Sequence, residues 1–287
     1  MSSSIEVRTD DRLRLTGALL AASDWPDYEQ TVKAYKAHRA ADAAHKFFAP
    51  HREHPAVQSV RRWAGQGEGL NQLYSHALNG DWPAGFGASV EDFKAASNLA
   101  AFLDETQADW AQAEGDAREV LARADLFHFL ADLLGPQTRT LIFMPQLLFP
   151  GMRAVACHSA GEVVVCVPPP KAWGTSLPWR YTERHDEALA QISEAFARSL
   201  FEILLPAEHA ALKPGAEVLA LAAAVLFLRQ AEGDAAGDQF MVMEKKTRGL
   251  KQLPAVVARL EPILADRRAG QYPAGLADYA SQLTGQL

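Results

Sequence analysis

Residues 139–174 read RTLIFMPQLLFPGMRAVACHSAGEVVVCVPPPKAWG, and residues 183–204 read ERHDEALAQISEAFARSLFEIL. The first stretch holds three short runs rich in β-branched and apolar residues, with an Ala160–Gly161 turn between the last two. Runs of this kind, bounded by turn residues, predict strands of one sheet spanning 139–168. In the second stretch the period becomes helical, and Leu189, Ile192, Phe196, Leu200 and Ile203 form one apolar stripe. Thr182 is positioned as an N-cap, while Glu183, Asp186 and Glu187 suit the positive end of the helix dipole. A sheet hairpin feeding a helix at 183–204 is therefore the centre of the expected fold.

The flanks are helical. Upstream, Val32, Tyr35, Ala43, Phe47 and Phe48 predict a helix over 27–48 that ends before Pro50. A helix over 55–64 with Pro55 in its first turn and another over 70–78 follow, separated by GQGEG at 65–69. After a loop at 80–87, apolar spacing predicts helices over 90–112 and 114–134, the second closed by Gly135 and Pro136. Downstream lie a nearly all-apolar helix at 216–230, a mobile loop GDAAGD at 233–238, and helices near 250–268 and 274–284. The order of helices, sheet and helices predicts an α+β fold, mostly helical, with a small mixed or antiparallel sheet. Two lobes, 1–136 and 137–287, are expected to form one compact unit.

With 287 residues, 48% of them hydrophobic, the chain can bury a sizeable core. Its 28 basic and 35 acidic side chains give a net charge of -7 and no basic run, so neither nucleic acid nor an anionic membrane is indicated as a partner. The longest apolar run, Val218–Leu228, has 11 residues and is too short to cross a bilayer. Glu6, Asp10 and Asp11 precede the apolar stretch 13–23, where a secretory signal would be cationic, so a cytoplasmic location is expected. The alternative is that 13–23 acts as a weak signal core. Cys157 and Cys166 lie on the two arms of the hairpin, whose short turn pairs position 157 with 163 or 164. The sulfurs are not opposed, and free buried thiols are the expectation.

A hairpin feeding a helix centred on Glu194 resembles the catalytic lobe of gluzincin metallopeptidases. Over nearly its whole length the chain also resembles a bacterial domain-of-unknown-function family of predicted His-Glu-x-x-His peptidases. The stretches 20–57, 139–204 and 259–279 carry this likeness in order and spacing. The resemblance implies a zincin-like active-site helix with two histidines one turn apart, so that both can bind one Zn²⁺ while a glutamate activates its water. It places the first ligand at Ser193, the general base at Glu194 and the second ligand at Ala197. A third ligand falls on Glu217 at the start of a later helix, although Ala216 and Leu221 depart from the family pattern there. Serine is a poor neutral zinc ligand and alanine is none, so no metal or other cofactor is expected.

Each candidate also has a plainer reading. Glu194 can be a helix glutamate that faces solvent or meets Arg198 at i+4, and Ser193 and Ala197 can be small residues that let helices approach. His185 lacks a second histidine at Leu189 and reads as a first-turn histidine paired with an acid. Cys157 and His158 are adjacent in a strand and point to opposite faces, which excludes a dyad. His38, His45, His51 and His54 have spacings unsuited to one helix face. Pro168–Pro170 and Trp173 can line a peptide groove or merely end an edge strand. The function expected from all this is that of a degenerate metallopeptidase-like protein, a pseudoenzyme that captures a peptide or protein along an edge strand drawn from 152–168. Two alternatives remain: a hydrolase, with a metal site rebuilt from His185, Glu194, His209 or Glu217 or with another nucleophile, and an assembly protein that acts through its helical half.

Overall fold

A computed structural model describes residues 4–24, 35–36, 39–65, 69–148, 154–170, 172–173, 180–204 and 215–271. Its sheet contains β1 (Glu6–Val7), β3 (Thr140–Pro145), β4 (Val155–His158) and β5 (Glu162–Val167) in the order β1-β3-β5-β4. β1 and β5 run parallel to β3 on either side of it, and β4 closes an antiparallel hairpin with β5. The fold is α+β and mostly helical, with a small mixed sheet. A separate two-residue ladder joins β2 (Tyr35–Lys36) to β6 (Ala172–Trp173).

Twelve helices are described around the sheet. They are α1 (Asp11–Ala22), α2 (Arg39–Phe48), α3 (Pro55–Gly65), α4 (Leu70–Asn79), α5 (Phe86–Ala96), α6 (Leu99–Glu105), α7 (Gln107–Ala122) and α8 (Leu126–Leu134) before β3. After β6 come α9 (His185–Leu204), α10 (Ala216–Glu232), α11 (Asp234–Thr247) and α12 (Leu253–Arg268). Strand register puts Ile142, Met144, Cys157, Val164 and Cys166 on one face of the sheet and Phe143, Ala156, His158, Val163 and Val165 on the other. Helix α4 lies along β4, whereas α7 and α9 cover the second face. The ring of Tyr181, just before α9, meets Phe143 there edge-on, with centroids 5.7 Å apart.

Buried Gln146, at the end of β3, fastens α1 and α4 to the sheet. Its amide donates to the Leu13 carbonyl and the Tyr74 hydroxyl, and its oxygen accepts from the Leu148 amide. One hydrophobic cluster runs from Leu13 through the strands to Leu264. Because β1 pairs with β3, elements from both sides of residue 136 share the same sheet.

Several expectations need correction. Residues 35 and 36 are strand and the helix begins at Arg39, because Tyr35 pairs with Trp173; most of 27–38 lies outside the described residues. The helix expected over 90–112 is broken at Asn98, whose φ of 53° is left-handed, and again at Thr106, whose hydroxyl bonds back to Phe102. The helix expected over 114–134 is divided by Asp125, which caps α8 by accepting from the His128 amide. Helix α9 starts at His185 after a turn, so Thr182 is not its cap. The strand at Glu6–Val7 is an addition to the sequence reading. The helix near 274–284 lies outside the described residues.

The sequence GDAAGD at 233–238 is also helical rather than a loop. Only Gly233, at φ 94°, leaves the helical path, and Gly237 is a packing residue. A Cβ on Gly237 would lie 2.4 Å from Arg229 Cγ and 2.7 Å from the Val225 carbonyl oxygen. The missing side chain lets α11 press against α10. Gly237→Ala is therefore expected to destabilise the fold by about 1–2 kcal/mol in urea unfolding, the overpacking cost exceeding the gain of ~1 kcal/mol in helix propensity.

Candidate functional site

Helix α9 carries the sequence-selected residues between the sheet and α10. Of its apolar stripe, Leu189, Ile192, Phe196 and Leu200 are all within 1% of full burial, and Ile203 is partly buried. Ser193 and Ala197 are buried too, each at 0% exposure, and the Ser193 hydroxyl donates to the Ala190 carbonyl of its own helix at 3.1 Å.

Glu194 lies on the polar side of α9, in line with Glu187, Gln191, Arg198 and Glu202. It neither faces open solvent nor pairs with Arg198, whose Nε donates to Glu202 instead. Its partner is Arg248, the residue that follows α11. Nη1 and Nη2 of Arg248 donate to the two Glu194 oxygens at 2.7 and 2.9 Å, a bidentate pair. The same Nη1 donates to Glu217 at 3.0 Å, and Nε meets Glu244 at 2.5 Å. Glu194, Arg248 and Glu244 have side chains only 13–16% exposed, while Glu217 is more open at 38%.

The local sequence explains how these groups meet. Glu217 sits in the first turn of α10, where the helix dipole favours an acid. Arg248 caps the C-terminus of α11, and Gly249 turns the chain away at φ 69°. Burial pushes the Glu194 carboxyl above its ordinary value; hydrogen bonding and charge from Arg248 pull it back in part, and Glu244 raises it further. For Arg248, burial acts against the charge, but its three carboxylate partners outweigh it and hold the guanidinium more firmly protonated.

These residues do not fit a catalytic zinc. The ligand positions Ser193 and Ala197 are buried and offer no imidazole, and the retained acids already hold a permanent organic cation. The other candidates are dispersed. His185 pairs with Glu232 at 3.0 Å, as an acid-paired first-turn histidine should, at the far end of α10 from Glu217. His209 and His38 lie outside the described residues. His45 bonds the Ala21 carbonyl and His54 bonds Asp92, so these histidines have separate partners.

The hairpin behaves as its spacing predicted. Cys157 pairs with Val164, both cysteines are free and buried, and His158 is exposed on the opposite face. Burial pushes the Cys166 thiol well above its ordinary value, as befits a packing residue. Strand β4 is indeed an edge strand, and two of its outward backbone groups are already bonded to side chains. The hairpin bond from the Ser159 amide to the Glu162 carbonyl sets the alternation that turns Ala156 and His158 outward. The Ala156 amide donates to Asn71 Oδ1 at 3.1 Å, and the His158 carbonyl accepts from Asn79 Nδ2 at 3.1 Å. Pro168 and Pro170 are buried at the end of β5.

No family model, curated protein or solved structure matches this chain. The site must therefore be read from its own geometry.

Arg248 is the residue that sequence reasoning missed. Replacing it with methionine should destabilise the protein by about 2–4 kcal/mol, because mostly buried carboxylates lose their counter-ion. Glu194, already raised, should rise further in the variant. A native carboxyl that titrates above its unfolded value binds the extra proton in the folded state, so stability from this group is present at low pH and lost as pH rises through the folded value. The deficit of Arg248→Met against the parent should thus be larger at pH 8 than at pH 5, as urea unfolding at the two pH values will measure.

Proposed function

We propose that this protein is a degenerate, metallopeptidase-like pseudoenzyme that works by binding a peptide or protein rather than by hydrolysis. The observation that carries this reading is the Arg248 guanidinium lying between Glu194 and Glu217, the two acids that the peptidase resemblance assigns to base and ligand. A general base needs a water that is activated and free to react. Glu194 instead has both oxygens engaged by a cation that cannot be displaced by proton loss. A hydrolase with a zinc site rebuilt from His185, Glu194, His209 or Glu217 gains no support from the positions of His185 and Glu194, which are bonded to different partners.

The binding edge expected within 152–168 must be reconsidered. Its outward amide at Ala156 and carbonyl at His158 already have asparagine partners on α4, so a peptide would have to displace them.

Metal analysis of the full chain purified without a polyhistidine tag tests the non-catalytic reading. Zinc far below stoichiometric amounts, with no cleavage of an unstructured protein substrate such as casein, is the expected result. Near-stoichiometric zinc that survives dialysis, or cleavage abolished by Glu194→Gln, would overturn it.

A further inference from the structure

The opposite edge of the sheet is built differently. In the parallel pair of β1 and β3, the Arg8 amide donates to the Phe143 carbonyl. Peptide groups alternate along a strand, so Glu6 and Arg8 turn theirs towards β3 while Ile5 and Val7 turn theirs outward. Among the described residues, the only partner on this outward row is Arg118, whose Nη2 donates to the Val7 carbonyl at 3.2 Å. A row of this kind is a template for an added strand.

Beside the row lies a groove of about 640 Å³ between β1 and the corner joining α7 to α8. Val7 shares a face with Phe143, towards α7, and the groove is floored by apolar residues including Leu121, Leu126 and Phe127. Beside Asp125, whose carboxylate is bonded to His128 at 2.7 Å, its lining carries Arg118 and Arg123. Each is held by an i,i+4 glutamate, Glu114 at 2.8 Å and Glu119 at 3.3 Å. Both arginines are largely exposed, and such pairs contribute only about 0.3–0.5 kcal/mol, so an incoming carboxylate can replace either glutamate. With two arginines against one aspartate that His128 already engages, this lining can offer cations to an acidic segment on a chain of net charge -7.

We infer that the outer edge of β1 binds an extended, acidic polypeptide segment, which adds a strand beside Ile5 and Val7 and sets an aliphatic side chain into the groove. A partner amide takes over the Val7 carbonyl, and Arg118, released from it, turns to a partner carboxylate. The main chain supplies the pairing and the groove and rim supply the selectivity. This rests on the reading of the chain as a binding protein.

The test uses the full-length chain and a short fluorescein-labelled peptide of alternating valine and threonine flanked by aspartates, followed by fluorescence polarisation. A lysine-flanked version is the comparison. Saturable binding of the aspartate probe, weakening with salt, is expected. Val7→Pro deletes an amide that points outward and leaves the bonds to β3 in place, and it should weaken binding by at least about tenfold. Arg118→Glu should weaken the aspartate probe by a similar factor and strengthen the lysine probe. Asn79→Ala, on the other edge, should leave affinity unchanged. Circular dichroism and thermal melting establish that each variant is folded; if Val7→Pro is not, Arg118→Glu carries the test. Binding unchanged by either substitution, a preference for the lysine probe, or no binding to the parent would each overturn the inference. Mass spectrometry of the recovered probe separates the two proposals. A probe neither bound nor cleaved overturns the edge alone, whereas a probe that is bound at β1 but cleaved overturns the non-catalytic reading alone.

Discussion

One guanidinium fastens three helices. Arg248 links Glu194 of α9, Glu217 of α10 and Glu244 of α11, using Nε and both terminal nitrogens. Three carboxylates gathered in a mostly buried space would repel one another and pay the desolvation of charge without return. The planar fork of arginine suits the task because it presents donors in several fixed directions and stays charged at any relevant pH. The packing of α11 depends on this contact at one end and on Gly237 at the other, where the helix lies against Val225 and Arg229 of α10. Gly237 is the one fully buried residue of α11, while Phe240 and Met241 pack partly buried against the core.

The two edges of the sheet show two ways of handling unpaired backbone. At β4 the Ala156 amide and the His158 carbonyl are met by neutral amides, Asn71 and Asn79, both on α4, which itself lies against the strand. Those bonds are part of the packing and open only if α4 moves. At β1 the corresponding role falls to Arg118, a long side chain that is 56% exposed and shared with Glu114. Displacing it costs the ordering of one flexible side chain and an ion pair of little net strength. The first edge is closed by architecture and the second by a removable group.

What could be read from the sequence follows the range of the interactions involved. The stripe from Leu189 to Leu200 and the β-branched strands at 140–145 and 162–167 were legible because their signal is periodic and local. β1 was not, since the two residues Glu6 and Val7 hold no period and become a strand only by pairing with β3. Gly233 and Gly237 looked alike in sequence, yet one ends a helix and the other makes room for a neighbouring helix. For the site, Glu194 and Glu217 could be singled out by their place in a motif. Arg248, 54 and 31 residues away from them, belongs to no motif. The available signal was chemical: two acids assigned to a shared, mostly buried site without histidines require another cation, and the helix-ending Arg248–Gly249 supplies one.

The same requirement connects the absent ligands to the arginine. If positions 193 and 197 carried imidazoles directed at a metal, that metal would neutralise the neighbouring carboxylates, and a guanidinium in the same space would be repelled by it. Ser193 and Ala197 offer no imidazole, and without another cation the mostly buried Glu194 would remain as unpaired charge beside Glu217, which is costly enough to shift its protonation or expel it to solvent. Arg248 resolves that conflict by bonding both carboxylates and holding them in place. The small side chains at 193 and 197, wholly buried, then serve packing. In the peptidase reading, restoring catalysis would demand more than returning two histidines: the fully packed positions would have to open, and the arginine that now holds three helices together would have to leave.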